Sequence, residues 1–142
     1  MTLEEYRMKH SMLIEQYQLI EFDLEGLCAA LSEAPFRKAP QEIERDSIGG
    51  VLREIKKIED QQNITVFSET EYEELDQIRE RRNYWCHVCY TEAYDKNTGA
   101  PRNANMLSTD LRKAETVLEW LRQIKEIHMR KNRDKIIDSL FY

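Results

Sequence analysis

The sequence predicts an all-α fold: an antiparallel up-and-down helical bundle of four long helices, or five if the second is split. Three observations predict it. Apolar residues recur at steps of three and four over most of the chain. The one stretch of strand-like composition, Ile64-Thr65-Val66-Phe67, has no second strand to pair with and reads as a packed connector. Proline-bounded or polar joins separate the periodic stretches. At 142 residues there is room for one domain, residues 1–142, with a real core.

The first helix is expected from Leu3 to about Ser32. Its stripe is Leu13, Tyr17, Ile20, Leu24, Leu27 and Leu31, extended toward the start by Tyr6 and His10. His10 reads as a partly buried structural histidine. Pro35 and Pro40 bracket the connector that ends this helix. A second pattern follows in Ile43, Ile48, Val51, Leu52, Ile55 and Ile58, interrupted by Gly49-Gly50. Two interior glycines would cost about 1 kcal/mol each. They either admit a neighbouring helix or mark a restart at Asp46-Ser47. Gln61-Gln62-Asn63 ends the segment. The third helix is expected from about Ser68 to Tyr94, opened by a Ser68-to-Glu71 capping box. After the loop Asp95–Asn103, Ser108 is expected to cap the fourth helix. The fourth stripe is Leu111, Ala114, Val117, Leu118, Leu121, Ile124 and His128, running on toward Ile136, Ile137 and Leu140. The basic run Arg130, Lys131, Arg133, Lys135 reads as a solvated face.

Charged residues make up 34% of the chain and the mean hydropathy is −0.72. No apolar run approaches the length of a membrane span, so no membrane partner is expected. The start, Met1-Thr2-Leu3-Glu4-Glu5, is acidic and unlike a secretory signal, which makes the cytoplasm the expected compartment. Cys28, Cys86 and Cys89 are odd in number, with two inside a helix, and argue against a disulfide framework. A net charge of −6 argues against non-specific coating of nucleic acid, but not against one local basic cleft.

Chemistry concentrates in Arg79-Glu80-Arg81-Arg82-Asn83-Tyr84-Trp85-Cys86-His87-Val88-Cys89-Tyr90. On a helix one face reads Arg79, Asn83, His87 and Tyr90. A second reads Tyr72, Leu75, Ile78, Trp85 and Cys89, with Arg82 between Ile78 and Trp85. A charge on an apolar stripe either snorkels or serves a site. Arg82 and His87 are separated by roughly 7.5 Å of rise and about 140° of rotation, within reach of a long arginine. A guanidinium fits phosphate oxygens and an imidazole exchanges protons near neutral pH. Together they suffice for a cleavage without metal or other cofactor. A base deprotonates the ribose 2′-OH, that oxygen attacks the adjacent phosphorus, and the cation steadies the pentacoordinate charge. The products are a 2′,3′-cyclic phosphate and a 5′-OH. Acid and base catalysis together want two protonatable groups. A symmetric dimer would supply the second histidine.

Arg82-Asn83-Tyr84-Trp85-Cys86-His87 resembles the Arg-polar-x3-His signature of HEPN domains (higher eukaryotes and prokaryotes nucleotide-binding). The likeness covers the motif and, loosely, the helical layout and length. It implies a small all-α domain that cuts RNA as a homodimer, in a toxin or phage-defence role. By the likeness Arg82 and His87 are the catalytic pair, with Asn83 the polar helper; Arg79 and Tyr90, on the same helix face, are the expected RNA contacts. It also implies an antitoxin partner of the nucleotidyltransferase type. The subgroup with that partner carries a tyrosine two residues after the histidine; here that position is Cys89, and Tyr90 comes one later.

Two competing readings remain. Cys86-His87-Val88-Cys89 resembles half a zinc site, which would need Cys28, His10 and His128 to converge on it. A non-catalytic helical bundle that binds a nucleotide or a protein would use Arg82 and His87 as contacts only.

Overall fold

A computed structural model describes residues 1–32, 47–87 and 102–141. Among them are four α-helices and no strand: α1 Leu3–Leu31, α2 Ile48–Gln62, α3 Glu69–His87 and α4 Ala104–Phe141. The all-α four-helix reading therefore stands. Thr2 caps α1 through a reciprocal box with Glu5. Ser68 and Glu71 form the expected box before α3. Asn63 ends α2 in the left-handed conformation, at φ 53°, which asparagine tolerates better than most residues.

Two expectations are corrected or settled. Of the two readings of Gly49-Gly50, the restart at Asp46-Ser47 agrees with a helix that starts at Ile48; Ile43 lies outside the described residues. Ser47 caps the Gly50 N–H, so both glycines fall in a first turn where hydrogen bonds are not yet required. A Cβ on Gly49 would lie 3.2 Å from Arg79 Cδ, so the missing side chain lets α3 come close. Ser108 is not a cap. α4 starts a turn earlier, at Ala104, and Ser108 meets Lys9 of α1 instead. The end of α3 near Tyr94 and the connector at Pro35–Pro40 lie outside the described residues.

The alternating order of directions is also corrected. Lys9 meets Ser108, and further along both helices Asp23 meets Arg122 and Lys125. The numbers rise together, so α1 and α4 run parallel. They form the most extensive pairing in the bundle. Against both runs α3: Trp85 meets His10 and Asp110, Gln77 meets Lys113, and Phe67 stacks edge-on with Trp120. In turn α2 runs against α3, with Gly49 beside Arg79 and Glu59 bonded to Tyr72. Three helices thus point one way and α3 the other. Strict alternation follows only when every join is short; residues 33–46 between α1 and α2 are not a short join.

The core is the predicted one. Leu13, Tyr17, Ile20, Leu24 and Leu27 of α1 are fully buried against Leu107, Ala114, Val117 and Leu121 of α4. Ile55 of α2 and Leu75, Ile78 and Trp85 of α3 close it. Two aspartates interrupt the apolar interior, Asp23 and Asp110, and each is paired. Lys125 crosses over Gly26 and Phe22 to reach Asp23 at 3.0 Å. Beyond that point α1 soon ends while α4 continues. Ile137, Leu140 and Phe141 are accordingly exposed, the last two by 73% and 76%.

Candidate functional site at the end of α3

Packing fixes the last two turns of α3 on the inward side. Trp85 is buried, and its indole N–H donates to Asp110 Oδ2 at 2.7 Å. Arg81 reaches the same oxygen at 3.1 Å. One buried carboxylate of α4 thus takes an indole and a guanidinium, both from α3. Asp110 falls on the α4 stripe between Leu107 and Ala114, and this partnership explains why. His10 Nε2 lies 2.8 Å from the Trp85 carbonyl oxygen, so with the proton on Nε2 it donates a bond to it. That contact ties α1 to the backbone of α3 near the last described residues of the helix. The structural role expected of His10 matches this placement. Tyr84 packs edge-on against Trp85 at 4.9 Å, and Asn103 Nδ2 donates to the Tyr84 hydroxyl at 2.8 Å.

Tyr17 sits beneath this cluster. Its phenol is buried and finds no hydrogen-bond partner among the described residues. Burial, then the nearby Asp110 carboxylate, hold its pKa above the ordinary value of 10.0.

The predicted site residues lie on the rim and the outer side. Arg82 leaves the apolar stripe toward α1 and pairs with Glu21, Nη2 to Oε2 at 3.2 Å. The two side chains are 34% and 21% exposed, so the pair lies at the mouth of the α1–α3 seam. That contact accounts for a charge placed between Ile78 and Trp85. Asn83 and His87 are exposed and bond to no described residue. Arg79 pairs with Asp76 at 2.9 Å and lies along α2 at Gly49; its charge is already matched on its own helix. Cys86 is an exposed free thiol. Tyr90 and Cys89 lie outside the described residues. Asn83 and His87 therefore share one open face, with Arg82 at its edge. Arg79 is turned toward α2.

Sequence reasoning missed Glu21, Arg81 and Asp110. For Asp110 there was a signal, a carboxylate on an apolar stripe. Nothing local marks Glu21, whose role depends on which helix lies beside it. Among the described residues no group of three or more His, Cys, Asp or Glu side chains is placed to hold a metal ion, and no helix is long and apolar enough to cross a membrane. Cys28 is buried in the core among Leu24, Leu27 and Leu31, while Cys86 is at the surface. The chain matches no protein-family model, no curated protein and no solved structure.

Proposed function

We propose that the protein is a metal-independent endoribonuclease of the HEPN type, acting as a toxin or phage-defence effector. The observation that carries the reading is the accessibility of His87. It projects from a stretch of α3 whose opposite side is anchored by Asp110 and His10, so the base has a fixed backbone and an open approach. In the mechanism, His87 takes the 2′-OH proton and Arg82 steadies the charge on the phosphorus. Asn83, one turn before His87, bonds a phosphate oxygen or the imidazole. A homodimer brings the second imidazole, which protonates the 5′-oxygen leaving group. Arg79 and Tyr90 extend the RNA contact, and an antitoxin is the partner of such an effector.

The test is labelled RNA incubated with the protein in EDTA. Fragments ending in 2′,3′-cyclic phosphate with 5′-OH on the other side are expected. Intact RNA at high protein concentration contradicts the reading. One observation favours a second reading, a non-catalytic nucleotide- or protein-binding bundle: Arg82 already has a carboxylate partner in Glu21. RNA that binds but is never cut is its signature.

A further inference from the structure

We infer that Glu21 is the resting counter-ion of Arg82, and that a phosphate of bound RNA takes its place. The inference rests on the RNA reading above and adds how the site is held before RNA arrives.

The argument starts from where the two groups sit. Ile20 and Leu24, flanking Glu21, are fully buried, so the carboxylate stands on a rigid helix. On α3, Ile78 and Trp85 fix Arg82 in the same way. Arg82 Nη2 and Glu21 Oε2 meet at 3.2 Å, and Glu21 is the one described side chain paired with Arg82. A part-exposed ion pair is a weak interaction. A phosphate offers several oxygens to the planar fork and can engage it at two points, which is the stronger contact. Exchange therefore runs toward phosphate when a polynucleotide is bound. Without RNA, Glu21 keeps a lone cation off an apolar stripe and lowers its attraction for stray anions.

The consequence is a defined sign. Removing the Glu21 charge at constant shape frees Arg82 and tightens RNA binding, but only while Arg82 is present. The experiment is a double-mutant cycle on the full chain, in a His87→Ala background so that RNA stays intact. Binding of a labelled single-stranded RNA oligonucleotide is followed by fluorescence anisotropy in EDTA at several salt concentrations. Glu21→Gln is expected to tighten binding about three- to tenfold at low salt and to steepen the salt dependence by about 0.7 in log–log slope, one additional phosphate contact. With Arg82→Met, which keeps the apolar stem packed, Glu21→Gln is expected to change nothing. Unchanged affinity on Glu21→Gln overturns the inference and leaves the RNA reading intact. Equal tightening in the presence and absence of Arg82 also overturns it, because the effect is then general charge. No RNA binding by any variant takes down the RNA reading and the inference with it.

Discussion

The inward and outward sides of α3's last two turns differ in almost every respect. Inward, Trp85 and Arg81 converge on one buried carboxylate, and His10 holds the helix end through a carbonyl. Outward, Asn83 and His87 meet no described residue. Arg82, between them, leans on a single part-exposed glutamate. The contrast teaches how a short helix end can be both rigid and available. Stability is concentrated on one side, which leaves polar side chains on the other without a structural duty. Residues such as these are the ones expected to act on a ligand.

That contrast can be broken by substitution. The largest effect belongs to Trp85→Ala. It empties a fully buried site and takes the indole donor from Asp110, which keeps Arg81, so a loss of roughly 3–5 kcal/mol is expected in urea unfolding. Asp110→Ala comes next. It leaves the indole N–H unsatisfied, while the partly exposed Arg81 can turn to water. A loss of about 2 kcal/mol is expected. His10→Ala removes one bond to the Trp85 carbonyl and is expected to cost about 1 kcal/mol.

Tyr17 sharpens the inward side through its pH dependence. Burial, helped by Asp110, keeps its phenol protonated in the fold above the ordinary value of 10.0. The unfolded chain gives up that proton near pH 10. Above that pH the folded state holds more protons than the unfolded state, so stability falls as pH rises. Tyr17→Phe is expected to make the alkaline fall shallower by one proton. At neutral pH the same variant is expected to be unchanged or more stable by up to about 1 kcal/mol, since the hydroxyl it removes has no hydrogen-bond partner among the described residues. Denaturation midpoints from pH 7 to 11 check both statements.

The sequence revealed the fold class because its signals are local. Leu13, Tyr17, Ile20, Leu24 and Leu27 recur at helical spacing and are all buried. Helix direction was not legible, because the pairing of Asp23 with Lys125 depends on a join whose length permits either direction. The fourth helix does run on through Ile137 and Leu140 as the pattern implied, but past the end of α1 these side chains are exposed and have no partner helix among the described residues. At the site, the histidine of the motif is exposed. The motif could not show that Arg82 would meet Glu21, sixty-one positions earlier in the chain, because such a pairing is set by helix packing.

The division of labour across α3 is tested most directly by His87→Ala, assayed for unfolding and RNA cleavage side by side. The expected result is stability within about 0.5 kcal/mol of the parent, as for an exposed side chain away from packing, with cleavage in EDTA abolished. A variant that cuts RNA as well as the parent, or that loses its fold along with its activity, contradicts the account.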